Sequence, residues 1–208
     1  MRRRRNDITN YGTLKTAIAD TLNRQDLTSV IPSFVSLAQA QFNRKIRSHR
    51  QITRGSLTID AQFEALPTDW VETIRITMDA NPIRVLTQIS MDDMTRYRTA
   101  TDNTTDAPVY FSHNGTDIEL FPTPSTSYTA QITYYAKITA LSADGDTNWL
   151  LTNHPDVYLY GSLVHTAPYL REDPRVAIWA GLLAQAMGEI EDESAAARFG
   201  SPLRMRIK

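Results

Sequence analysis

The chain has 208 residues, no cysteine, and a net charge of -1 from 22 basic and 23 acidic residues. That balance excludes thiol catalysis, cysteine-ligated metal and a disulfide framework, and bulk charge draws the chain neither to nucleic acid nor to a membrane surface. With 41% hydrophobic and 22% charged residues it is ordinary globular material, long enough to bury a core without a staple.

Residues 1–10 read as a basic N-terminal arm. Arg2 to Arg5 are followed by no apolar segment, so the start does not resemble a secretory leader. Residues 11–54 read as helical. Leu14, Ile18 and Leu22 recur every four residues and give one apolar stripe between Tyr11 and Asn23. A second helix is expected to begin near Thr28 or Ser29, either a good N-cap, with Pro32 in its first turn. Ile31, Phe34, Val35, Ala38, Phe42 and Ile46 form its apolar side. Arg44, Lys45, Arg47 and Arg50 gather at its end, where cations suit the negative pole of the helix dipole, and no acid lies between Leu27 and Ile59.

Residues 55–147 change period. The stretches SLTID, TIRITMD, PIRVLT, PVYFSH, DIELFP and YTAQITYYAKIT alternate apolar and polar residues, as half-buried strands do. Ile74, Ile76 and Met78 are expected on one face, and Ala130, Ile132, Tyr134, Ala136 and Ile138 on another. Asn114-Gly115 signals a hairpin, and Asp79 to Pro82 another turn. A short helix from Ser90 to about Arg98 interrupts the strands, which sit close enough to predict an antiparallel sandwich or small barrel.

Helical spacing returns over residues 148–198. Asn153 is expected to cap a helix with Pro155 in its first turn and Val157, Tyr160, Leu163, Val164 and Ala167 on its apolar side. Asp173 and Pro174 start the next, with Val176, Trp179, Leu183, Met187 and Ile190 inward. Glu189, Glu191, Asp192 and Glu193 make an acidic block. Residues 199–208, FGSPLRMRIK, hold Gly200 and Pro202 and are expected to be an extended tail. The fold class is therefore α+β: a helical bundle formed by the N- and C-terminal helices, an inserted antiparallel β domain and an extended C-terminal tail.

Chemistry-bearing motifs are sparse. The four histidines, His49, His113, His154 and His165, fall in no metal-ligand spacing. His154-Pro155-Asp156 copies the tripeptide of J-domain co-chaperones in the wrong context and reads as a helix start. Asp144-Gly145-Asp146 lacks the further ligands of a calcium loop and reads as a turn. No phosphate-cradling glycine motif and no nucleophile elbow occurs. No catalytic residue, metal or cofactor is expected. Trp70, Trp149 and Trp179 read as packing anchors.

Several stretches together resemble the tailed-phage head-to-tail adaptor (connector) family, which includes the tail adaptors of short-tailed phages. They are YGTLKTAIADTLNRQDLTSVIPSFVSLAQAQFNRKIR, EALPTDWVE, GTDIELFPTPSTSYTAQITYYAKITALS and TNWLLTNHPDVYLYGSLVHTAPYLREDPRVAIW, in that order. The resemblance covers about Tyr11 to Ile190 and implies a non-catalytic structural virion protein. Members form a dodecameric ring beneath the portal, continue the DNA channel and dock the tail nozzle or other tail proteins. By that analogy the tail residues Phe199, Pro202, Leu203, Arg204, Met205, Arg206, Ile207 and Lys208 bind the portal, adding as a strand to a partner sheet. Arg44, Arg47 and Arg50 are expected to meet Glu189, Glu191 and Asp192 of a neighbouring subunit, because a heterologous contact closes a ring from two unlike patches. Non-specific contact with passing DNA, and residence in the virion after assembly in the host cytoplasm, go with that reading; no membrane does. Two rivals stand beside it. A virion-associated cell-wall hydrolase needs paired carboxylates in a cleft. A DNA-binding module needs only well-placed cations against phosphates.

Overall fold

The computed structural model describes residues 7–79, 82–101, 105–170 and 173–199. Arg2 to Arg5 and the tail residues from Gly200 on lie outside them. The described residues form six α-helices and a curled, mixed seven-stranded sheet, so the chain is α+β. It divides into two compact units, residues 51–137 and the two flanking segments.

The flanking segments make the helical unit. Its first helix, α1 (Tyr11–Leu22), starts on a reciprocal cap: Asn10 Oδ1 accepts from Thr13 N at 2.9 Å, and Thr13 Oγ1 accepts from Asn10 N at 3.0 Å. Asn23 ends it in the left-handed region at φ 53°. The second, α2 (Ile31–Lys45), begins later than its cap residues suggested. Val30 sits at the cap position with no side-chain bond, and Thr28 and Ser29 do not cap. A 3₁₀ turn over Gln25–Leu27 comes first, its last residue Leu27 buried in the core, and the helix starts after it.

Beyond the sheet, α4 (Trp149–Asn153) is capped by Asn148, so Asn153 ends that helix instead of starting the next. His154 and Pro155 open α5 (Pro155–Val164). Asp173 accepts from Arg175 N at the start of α6 (Arg175–Phe199). Helix α5 is the centre of the unit: α1, α2, α4 and α6 all pack on it. Its fully buried aromatic is Tyr158, edge-on to Phe42 with ring centroids 5.3 Å apart, while Tyr160 packs against the core half-buried. On α6 the inward line is Trp179, Leu183, Ala186 and Ile190, continued by buried Ser194. A line recurring at three and four residues fits one helical face.

The sheet unit holds β1 (Ile52–Ile59), β2 (Phe63–Ala65), β3 (Trp70–Met78), β4 (Arg84–Gln88), β5 (Tyr110–Asn114), β6 (Asp117–Phe121) and β7 (Tyr128–Ala136), in the spatial order β1-β7-β3-β4-β5-β6-β2. All neighbours are antiparallel except β4 and β5, which run parallel. The expected purely antiparallel domain is therefore corrected to a mixed one. The helix α3 (Met91–Ala100), capped by Ser90, lies in the connection that returns the chain to the same end of the sheet. Arg98 fastens it: the guanidinium donates to Glu119 at 2.6 Å and to Leu120 O.

The inward faces carry Ile59, Ile76, Met78, Phe111, Ile118 and Ile132. Ile74 does not join them. The β3–β7 register slips between Thr73 and Arg75, which leaves Ile74 44% exposed while Ile76 and Met78 are fully buried. In the β5–β6 hairpin Asn114 stays paired, and Gly115 alone takes a positive φ, 66°.

Candidate assembly surfaces

The basic end of α2 and the C-terminal half of α6 meet within the helical unit. His49 N donates to Ser194 Oγ at 3.0 Å, and Arg198 Nη2 donates to Arg47 O at 3.3 Å. Arg50 pairs with Glu193 of its own chain, Nη2 to Oε1 at 2.9 Å and Nε to the same oxygen at 3.2 Å. That bond holds the Glu193 carboxyl below its ordinary range, with His154 and His49 adding smaller contributions. His154 Nε2 lies 3.3 Å from Glu193 Oε2 without the alignment of a hydrogen bond.

Arg47 is half-buried and turned to its own helix end, donating to Asn43 O and Ile46 O. Arg44 is exposed and forms no ion pair among the described residues. It still acts at a distance, since burial first and Arg44 second push the His165 ring below its usual pKa. Glu189 accepts from Gln185 one turn earlier at 3.1 Å, and Glu191 and Asp192 are exposed. Phe199 is the last residue of α6 rather than the first of a tail. Pro202, Leu203, Arg204, Met205, Arg206, Ile207 and Lys208 lie outside the described residues.

Three exposed apolar side chains on these helices escaped the reading of core stripes: Leu37 on α2 (52% exposed), and Ile178 (62%) and Leu182 (37%) on α6. The signal was present, as apolar residues off the inward line. A shallow groove of 210 Å³ runs along the outside of α5 and α6, lined by Asp156, Tyr160, Leu182, Gln185, Ala186 and Glu189. A larger one in the sheet unit, 460 Å³, has Leu66, Trp70, Asp117 and Lys137 in its wall, with one acid among its described residues. Trp70 packs against the His113 ring, and burial lowers that histidine's pKa. Among the described residues no group of three or more histidines and acids is placed to hold a metal, and no helix is long and apolar enough to cross a membrane. Asp144 and Asp146 build the expected turn: Asp146 Oδ2 accepts from Ser142 N and Ala143 N, and Asp144 pairs with Lys15.

A comparison with curated proteins returns no match. The family model of the SU10 adaptor protein matches residues 9–206, from the first cap of α1 through α6 and on toward the end of the chain. A match spanning nearly every residue identifies the chain as a member of the SU10 adaptor protein family, a structural protein of a phage.

Proposed function

We propose that this chain is the head-to-tail adaptor of its phage. It forms a closed ring, a dodecamer by analogy with the wider adaptor group, beneath the portal, continues the channel for DNA ejection and docks nozzle or other tail proteins. The observation that carries this is the family match over residues 9–206. In this reading the segments 11–54 and 148–198 form one bundle that carries the 55–147 sheet region as an insertion. Residues 200–208, led into by Phe199 at the end of α6, extend to bind the portal, and residues 1–10 remain a basic arm. Unlike patches at the C-terminal end of α2 and on α6, with Arg44 and the following Arg47 on one and Glu189, Glu191 and Asp192 on the other, suit a head-to-tail seam between copies. Arg50 supports that seam from behind by holding α6 to the end of α2 through Glu193. The protein assembles in the host cytoplasm and ends in the virion at the portal vertex.

Electron microscopy of the full-length chain mixed with its cognate portal tests the proposal. A ring of this protein stacked on the portal is expected. Portals that stay bare at micromolar adaptor overturn it. Lysis of purified cell wall by the chain alone would replace it with the hydrolase reading, and salt-sensitive duplex binding by the isolated monomer with the DNA-binding one.

A further inference from the structure

The outer faces of α2 and α6 carry ladders of the same spacing and opposite charge. On α2 the ladder is Leu37, Ala40 and Arg44; on α6 it is Leu182, Gln185 and Glu189. Both step by three and then four residues, so each ladder keeps to one helical face and spans about 10 Å. Each runs from a leucine at its N-terminal end to a charge at its C-terminal end, and all six side chains are exposed. The α6 ladder also lines the groove shared with α5, where Asp156 adds a second acid beside Glu189 and Tyr160 a flat apolar wall beside Leu182. Ile178, one turn before Leu182, prolongs its apolar end, and Asp192 prolongs its acidic end.

We infer that α2 of one copy lies along the α5–α6 groove of the next, parallel to α6, with Leu37 on Ile178 and Leu182, Ala40 facing Gln185, and Arg44 between Glu189 and Asp156. This rests on the ring reading and gives its seam a register and a direction. The middle rung suits close approach, because the single methyl of Ala40 leaves room for the longer Gln185 side chain. Only the parallel direction works, because turning α2 round puts Arg44 on Ile178 and Leu37 among acids. Charge complementarity also names the occupant as a second copy of this chain. Arg44 has no ion pair at home among the described residues, the apolar ends have no cover, and the two ladders match in spacing. The two patches differ and both flank α5, so the contact is heterologous and propagates around a ring instead of stopping at a dimer. The mode is a helix laid in a groove, read by anchors three and four residues apart. Arg50 does not belong to the seam, since Glu193 already holds it within the chain.

The absence of cysteine makes the test direct. One full-length variant carries Leu37→Cys and another Leu182→Cys. The mixture, oxidised under conditions where the parent assembles on its cognate portal, is expected to give covalent dimers, and either variant alone none. Helix axes in such a contact lie about 8–10 Å apart, within reach of a disulfide between facing side chains. In parallel, Arg44→Glu and Glu189→Arg are each expected to cut ring yield about tenfold or more, and the two together in one chain to restore it to within about threefold of the parent. Rings that form normally with no crosslink in the mixture and no effect of either reversal overturn the seam and leave the adaptor reading standing. Crosslinking of one variant with itself as readily as in the mixture also overturns it, in favour of a two-fold contact. A parent chain that forms no ring on the portal at all sinks the ring reading and the seam together.

Discussion

Gly161 sits on α5 against Phe42 and Ala38 of α2. A Cβ added there would fall inside the van der Waals envelope of the Phe42 ring, and that ring is fully buried and held edge-on by Tyr158. Neither ring has room to yield, so Gly161→Ala is expected to lower the stability of the helical unit by about 1–3 kcal/mol, measured by urea unfolding followed by circular dichroism. Tyr158 itself makes the unit sensitive to alkali. Burial pushes its phenol up to about 12, although the Asn148 amide bonded to its oxygen pulls the other way. A folded pKa above the ordinary value of 10 means that the contribution is whole below pH 10 and is lost as pH rises through about 12. The urea midpoint should therefore fall across that window by an amount worth about 2–3 kcal/mol, and Tyr158→Phe should flatten the fall while costing about 1 kcal/mol at neutral pH. An unchanged alkaline slope in the variant would remove Tyr158 from the account.

Helix α6 shows what an element can carry beyond its own packing. Gly181 lies mid-helix on the outer face, where an added Cβ meets nothing within 4 Å. Nothing in the single copy requires a glycine there. Gly181→Ala is expected to raise the stability of the isolated chain by about 0.5–1 kcal/mol, read as a higher melting temperature. The sheet unit offers the opposite case. Arg98 and Glu119 are each only about one-sixth exposed, at 16% and 15%, and Gln62 also donates to Glu119. Arg98→Ala leaves a partly buried carboxylate without its cation and is expected to cost about 2–3 kcal/mol. The loss should appear as faster amide exchange in residues 91–100, with the helical unit unaffected.

At the same scale, the line between what residues disclose and what they conceal is physical. The inward stripes of α1, α2 and α6 were legible because a buried face imposes its period on the residues themselves. Cap positions were less so: a 3₁₀ turn ending on buried Leu27 comes before α2, and Asn148 rather than Asn153 capped the first helix after the sheet. The exposure of Ile74 was hidden because a bulge breaks alternation without changing residue type. The parallel β4–β5 pair was hidden because strand order depends on distant partners that no local window contains. The acidic and basic blocks stood out, yet nothing local distinguishes Arg50, which is satisfied by Glu193, from Arg44, which is not.

For the whole molecule, the family assignment turns exposed features into working parts. The last residue of α6 described as buried is Ser194, and residues 195–198 after it are exposed. Deleting residues 200–208 is therefore expected to leave the melting temperature of the chain within a degree or so of the parent while abolishing attachment to the portal, measured by co-sedimentation. Retained attachment would move the portal contact elsewhere on the adaptor.

The first and last strands of the sheet unit are hydrogen-bonded neighbours, with Ile52 opposite Tyr135. The polypeptide thus leaves for its β excursion and comes back at nearly one point, roughly 5 Å apart. A cassette with such a narrow neck can be lengthened, traded or cut out while the helices on either side keep their partners. An experimenter could splice in a fluorescent reporter, or exchange the whole sheet, by changing what hangs from that neck.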